Sequence, residues 1–360
     1  MSLTSYDPSL LQKASLDPPK LVPFSAIESA LSTLLSTLDG VNAMFASQQK
    51  AFEQSTLISR RNGVSSTLPI QTAGQPPQPS LRAGVGAQVC VKTGYTKNGE
   101  KMVSKVAAGG GDDTRNTGVV FVFDQHTLRL NTILCDEGIL TEVRTAAACA
   151  YASKFLLGRR TEEITKVGIV GGGVQACWQL RLLCAGVLPD LCRTAVIKTR
   201  SKKSAEDFMQ RMKSSSYAPD REWQFEHFES VNDGGEAFHK CQLIHTLTPS
   251  REPVLSNHDV CIPSKMHEFL HITAVGADSP GKYELDPDLI REANALVCDS
   301  IPQSKERGEF QSDNFSGKLK ELGSLTKCPH ESTKPYFSIF DSSGLALQDV
   351  EMANLVSKSL

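Results

Sequence analysis

The chain has 360 residues, of which 40% are hydrophobic and 22% charged, and its formal net charge is -2. That balance gives no electrostatic footing for nucleic acid or an anionic membrane surface, and no apolar run approaches the ~20 residues that span a bilayer. No leader segment is expected at the start, and 10 cysteines without a Cys-x-x-Cys pair read as reduced thiols, so a cytoplasmic protein of one large or two ordinary domains is expected.

Residues 1–23, rich in Pro, Ser and polar residues, are predicted to form a loosely held arm. Ile27, Leu31, Leu34, Leu35 and Leu38 recur at helical spacing, with Ser25 as a cap and Gly40 as a stop. A second helix is predicted over Ala43–Gln54. The proline-rich stretch Gly74–Ser80 cannot be a central strand. Val85–Tyr95, Lys101–Ala107, Val119–Phe123 and Leu128–Leu134 are predicted strands, rich in β-branched and apolar residues. Gly109–Arg115 forms a loop between two of them. Val119–Phe123 is too apolar to stand in water, which predicts a buried sheet or a partner surface. Leu140–Leu157, dense in alanine, is a predicted helix broken at Gly158.

From Val167 the texture changes. Val167–Val170, Thr194–Lys198, Leu243–Leu247, Ile272–Val275 and Ala295–Cys298 are predicted strands with helical stretches between several of them. Such alternation predicts an α/β fold, a Rossmann-type doubly wound parallel sheet. The tail Leu345–Val356 is predicted to be an amphipathic helix after the turn Asp341–Gly344.

The first of these strands ends in Gly171-Gly172-Gly173, with Ala176 three residues on. In a Gly-x-Gly-x-x-Ala turn the first glycine permits a sharp bend and the second a close approach to pyrophosphate. The alanine lets the helix pack tightly on the strand. Val174 and Gln175 open that helix, whose amide groups and partial positive charge suit phosphate. The next strand runs into Thr199, Arg200 and Ser201, followed by two lysines, with no acidic residue to grip a ribose hydroxyl. Hydroxyls and a guanidinium suit a 2′-phosphate, so NADP(H) is expected, with NAD(H) less favoured. Thr145, Thr246 and Thr248 complete the expected cofactor contacts. A competing motif, His267-Glu268-Phe269-Leu270-His271, matches the zinc-hydrolase pattern. It lacks the mid-helix setting that brings both imidazoles onto one face, so no metal is expected.

Four stretches together resemble the ornithine cyclodeaminase/mu-crystallin family: Asp136–Ala147 (DEGILTEVRTAA), Gly171–Ala176 (GGGVQA), Ala274–Leu285 (AVGADSPGKYEL) and Phe340–Ala346 (FDSSGLA). The resemblance implies a Rossmann domain joined to a β-rich (α+β) dimerisation domain, with the C-terminal helix returning to the latter. Residues 1–143 with 335–360 would form the substrate and dimerisation domain, and 144–334 the NADP(H)-binding domain. A homodimer is implied. The family's arginine before Thr-Ala-Ala matches Arg144, expected to bind a substrate carboxylate. Its upstream lysine falls on Lys105, and its catalytic aspartate on Asp278. Tyr95 matches a family tyrosine, whereas Lys92 stands where the family has methionine, which places Lys92 among the substrate-binding residues. A further family arginine falls on Arg82, with Arg60 and Arg61 as rivals.

These residues imply chemistry on an α-amino or α-imino acid. Arg82 and Arg144 would hold its carboxylate. Lys105 would hydrogen-bond that carboxylate or protonate the reacting nitrogen, and Asp278 would orient the nitrogen or activate a water. The expected function is therefore NADPH-dependent reduction of an α-imino acid or cyclic ketimine. The alternatives are an ornithine cyclodeaminase and a mu-crystallin-like protein that binds NADPH and a small ligand without turnover.

Overall fold

The structure, a computed structural model, describes residues 18–62, 71–74, 88–96, 101–109, 117–214, 222–229, 238–265, 268–311, 315, 318–329 and 334–360. Its first sheet comprises β1 (Lys20–Val22), β2 (Gln71–Gly74), β3 (Gln88–Tyr95), β4 (Lys101–Gly109), β5 (Thr117–Asp124) and β6 (Leu130–Leu134). Their spatial order is β1-β6-β5-β4-β3-β2. β1 runs parallel to β6, and every other neighbouring pair is antiparallel. Side chains alternate across such a sheet, so Val103, Val120, Val122 and Leu134 point into the core. Phe121 and Phe123 lie on the opposite face, half-buried. The core face is covered by α8 (Ala346–Lys358), which also packs on α2 (Leu38–Asn62) and α1 (Phe24–Leu35). Gly94 in β3 lets α8 begin close by, since a Cβ there would lie 3.0 Å from that of Ala346.

Between the two sheets runs α3 (Ile139–Leu157), packed on α2, α8 and α4 (Val174–Gly186). Its alanines explain the fit: Ala146, Ala147, Ala148, Ala150 and Ala152 are all fully buried, so neighbours approach on most sides.

The second sheet contains β7 (Lys166–Val170), β8 (Thr194–Thr199), β9 (Gln224–Glu229), β10 (Leu243–Thr246), β11 (Phe269–Ala274), β12 (Ala295–Cys298), β13 (Leu319–Glu321) and β14 (Tyr336–Asp341). It is parallel throughout, in the order β13-β12-β14-β11-β10-β7-β8-β9. From β7 the chain winds outward through β8, α5 (Lys202–Ser214) and β9, then returns to lay β10 on the other side of β7. In open α/β sheets that reversal leaves a crevice beyond the carboxyl ends of the two strands, where ligands bind. The α/β Rossmann-type architecture expected from the alternation is present.

Several details differ from expectation. The predicted arm contains β1, which gains its place by pairing with β6. Gly40 does not stop the first helix: α1 ends at Leu35 and Gly40 lies in the first turn of α2. A Cβ at Gly40 would fall 2.0 Å from the Leu34 carbonyl oxygen, so the glycine serves the close turn between the helices. A division at 335 would separate β14 from the second sheet, yet β14 lies between β11 and β12. Gly109 extends β4, and 110–115 lie outside the described residues.

Candidate active site

At the switch point, β7 ends in a turn that only glycine tolerates. Gly171 has φ +110°, its amide donates to the Lys198 carbonyl at 2.8 Å, and a Cβ there would meet the Leu247 carbonyl oxygen at 2.9 Å. Gly173 precedes α4 without a side-chain cap, and nothing lies within 4 Å of a Cβ built on it. The Ala176 amide donates to the Gly173 carbonyl at 3.1 Å, so the amides of Val174 and Gln175 are the ones that a helix start offers to a pyrophosphate. Ala176 is fully buried and Val174 exposed. Gln175 donates to the Glu142 carbonyl at 3.1 Å, which fastens α4 against α3, while the Thr145 hydroxyl donates within α3 to the Thr141 carbonyl at 2.7 Å.

The end of β8 lies beside this turn. Thr199 Oγ1 donates to the Ser201 carbonyl at 2.8 Å and lies 3.0 Å from His227 Nε2. Ser201 accepts the Ser204 amide at the start of α5, and Arg200 is exposed. Lys198 differs from its neighbours: it is buried against Asp259 at 2.9 Å, so the exposed basic groups here are Arg200, Lys202 and Lys203. Thr246 ends β10 and Thr248 follows it, on the other side of the turn. Both hydroxyls donate to the fully buried carboxylate of Glu284 at 2.8 Å, which also accepts the amides of Thr248 and Gly276. They tie the loops after β10 and β11 together.

Next to α4 opens a cleft of about 290 Å³, lined among others by Lys92, Lys105, Arg144, Thr145, Gln175 and Asp278. Lys92 in β3 and Lys105 in β4 are directly paired across the ladder and share a face. Lys105 Nζ donates to Asp349 Oδ1 at 2.8 Å, and Arg144 Nε lies 2.9 Å from the same oxygen. Arg144 also donates through Nη1 to Gln348 Oε1 at 2.7 Å, and Gln348 accepts the Leu345 amide, fixing the start of α8. Lys92 Nζ donates to the Gly344 carbonyl at 3.3 Å. Gly344 has φ +84°, and a Cβ there would stand 2.9 Å from Lys92 Nζ and 3.1 Å from Arg144 Nη1. Asp299 anchors this turn by accepting the Ser343 hydroxyl at 2.8 Å and the Gly344 amide.

Burial and charge set the proton affinities. Burial lowers Lys105 to about 8, with Asp349 opposing and Arg144 reinforcing the fall. Lys92 is lowered by burial and then by Arg144. Burial pushes Asp349 upward, but Arg144, Lys105 and Lys92 together hold it below the usual carboxylate range. Asp136, behind Lys105, is raised by burial to about 6.

Asp278 sits at the cleft, half-exposed, paired with Lys282 at 2.7 Å. Arg82 lies outside the described residues, as do the side chains of Arg60 and Arg61 at the end of α2. Tyr95 is 44% exposed and does not line the cleft. Of the zinc-like motif, His267 lies outside the described residues, while Glu268 accepts the amides of Ser264 and Lys265. His271 is buried inside β11, so the motif is not on a helix. Sequence reasoning missed Asp349, Gln348 and Asp299. The signal available for Gln348 and Asp349 was an amide and a carboxylate placed just after the Phe340–Ala346 motif, in the first turn of the tail helix.

The sequence model described as the ornithine cyclodeaminase/mu-crystallin family matches residues 95–360. A Sinorhizobium fredii protein described as an uncharacterised cyclodeaminase is 30% identical over 285 residues, 74% of this chain and 79% of that one. The iminosuccinate reductase of Paracoccus denitrificans is 30% identical over 243 residues, 66% of this chain and 68% of the relative. Among solved structures, the Thermococcus litoralis Δ1-pyrroline-2-carboxylate reductase in complex with NADH and L-proline superposes with a TM-score of 0.71 at 22% identity, covering 94% of this chain and 97% of that one. The chain belongs to the ornithine cyclodeaminase/mu-crystallin family.

Proposed function

We propose that this protein is an NADPH-dependent reductase of an α-imino acid or cyclic ketimine. The observation that carries the reading is the meeting of Lys92, Lys105 and Arg144 in one cleft beside the open phosphate turn. Bound NADPH would supply a hydride to the C=N carbon, ending as NADP⁺ while the imine becomes an amine. Arg144 holds the substrate carboxylate through Nη2, because its Nε and Nη1 already face Asp349 and Gln348. Lys105 delivers a proton to the imine nitrogen, a task that suits an ammonium with a pKa of about 8. Asp278, with Lys282 beside it, orients the protonated nitrogen from the mouth.

NADPH is preferred over NADH, because Arg200 and the hydroxyls of Thr199 and Ser201 surround the ribose end with no carboxylate there in the sequence. The half-buried Phe121 and Phe123 on the outer face of β5 are the surface through which a homodimer forms. No helix among the described residues is long and apolar enough to cross a membrane, and a cytoplasmic location is proposed.

A cyclodeaminase would use the same residues, with Asp278 activating a water against the imine. The three cations disfavour it, since they repel the second ammonium of a diamino acid. The test is NADPH oxidation with pyrroline-2-carboxylate, piperideine-2-carboxylate, and 2-oxo acids supplied with ammonia or methylamine. Ornithine with NAD is run alongside. Oxidation of NADPH by an imine is expected. Ammonia release from ornithine would replace this reading with the cyclodeaminase. Tight NADPH binding with no imine turned over would leave a ligand-binding protein.

A further inference from the structure

The cleft holds more positive charge than one carboxylate needs. Lys92 and Lys105 stand directly opposite each other in the β3–β4 ladder, an arrangement in which like charges destabilise a sheet. Lys105 has a counter-ion in Asp349, which it shares with Arg144. Lys92 has none within ion-pair distance among the described residues. Its single hydrogen bond there is to the Gly344 carbonyl at 3.3 Å, an oxygen it shares with Gln303 at the same distance. The nearby Asp299 is committed to the Ser343 hydroxyl and Gly344 amide. Lys92 is only 7% exposed, yet it lines the cleft, so at least two of its three N–H donors have no acceptor among the described residues. A buried ammonium so poorly satisfied is costly unless a ligand completes it.

We propose that Lys92 receives a second acidic group on the substrate, so that the preferred imine is a dicarboxylate. The α-carboxylate lies on Arg144 and the side-chain carboxylate on Lys92, while Lys105 stays free for the nitrogen. This rests on the imine-reductase reading above and adds the substrate class. Lysine supplies a rotatable point charge on a flexible stem, which suits a carboxylate that differs in reach between four- and five-carbon acids.

The test compares the whole protein with Lys92→Met and Lys92→Gln. Turnover is followed as NADPH oxidation with oxaloacetate or 2-oxoglutarate plus ammonia, against pyruvate plus ammonia. Binding is measured separately by calorimetry, using L-aspartate, L-glutamate and L-alanine with NADP⁺ present. A charge-assisted hydrogen bond corresponds to roughly 10–100-fold, so the wild type should favour dicarboxylates by about that factor in kcat/KM and in affinity. Both variants should bring the two classes within about threefold, mainly through the dicarboxylate, with NADPH affinity unchanged as evidence of a folded protein. Equal losses on both classes would show that Lys92 merely doubles the grip on one carboxylate and would overturn the proposal. A wild type that favours pyruvate imine would overturn it too, while leaving the reductase reading intact. Lys92-dependent binding of aspartate without any imine turnover would do the reverse.

Discussion

Two regions of this molecule bury polar side chains, and they do so in opposite ways. In the parallel sheet a closed chain of contacts crosses the strands. Gln179 Oε1 meets His245 Nδ1 at 3.0 Å, and His245 Nε2 meets Ser153 Oγ at 3.2 Å. Ser153 contacts Thr273 at 3.1 Å, Thr273 contacts His271 Nε2 at 3.0 Å, and His271 Nδ1 contacts Ser338 at 2.8 Å. Every ring nitrogen has a partner, and burial lowers both histidines to about 3, so they stay neutral. In the cleft against the antiparallel sheet, the accounts stay open. Asp349 Oδ2 and Thr141 Oγ1 find no partner among the described residues, and Lys92 has one carbonyl. Buried polarity that closes on itself specifies an architecture, whereas polarity left unsatisfied in a cavity marks where a ligand belongs.

The contrast breaks most visibly at Lys105. Lys105→Met should lower kcat by about 10²–10⁴ with NADPH affinity unchanged, in stopped-flow and equilibrium titrations. In the wild type kcat/KM should decline as pH rises through about 8, because the acid form of Lys105 is then lost. Asp349→Asn should move that decline to lower pH by removing the anion that favours the charged form. Near-normal turnover in Lys105→Met would mean that the open cluster is as structural as the closed one.

The histidine network predicts a stability effect with a definite sign. The folded-state values lie far below the ordinary 6.5, so the unfolded chain takes up protons first. Their contribution is complete above 6.5 and is lost as pH falls from there toward 3, at roughly 1 kcal/mol per pH unit for each histidine. Urea unfolding at pH ~7 and pH ~5 should therefore differ by about 3–4 kcal/mol from this source. A flat profile in that window, or one unchanged in His245→Gln, would show that the pair does not control acid stability.

At the cofactor end, Arg200→Ala should weaken NADPH by about 1–3 kcal/mol and leave NADH unchanged, as read by nicotinamide fluorescence. Equal affinity for both cofactors in the wild type would refute the assignment. The smallest effect is expected from Ser153→Ala, which should cost about 1 kcal/mol of unfolding free energy and nothing in turnover. A turnover defect there would connect the closed network to the chemistry.

The glycine turn, the strands around it and the convergence of Lys92, Lys105 and Arg144 on one cleft were legible because each rests on local pattern or ordered motifs. Asp349 was not. A carboxylate in a tail helix reads as a solvent face, yet α8 is buried on nearly all sides and turns Asp349 toward two cations from other elements. The hold of Glu284 on the Thr246 and Thr248 hydroxyls was hidden for a related reason, since that carboxylate lies far along the chain. β9 has its two phenylalanines three residues apart, out of step with a strand's period of two, and β13 is only 3 residues long, so neither gives a strong periodic signal.

β14 runs without a break into Ser342, Ser343 and Gly344 and then into α8. The strand has a neighbour on each side, and Asp299 and Gln348 fasten the turn that follows. That wall of the cleft is anchored in the middle of the sheet, so rotating it would tear a central strand from two ladders. Amide exchange should then be slow through β14 whether or not ligand is present.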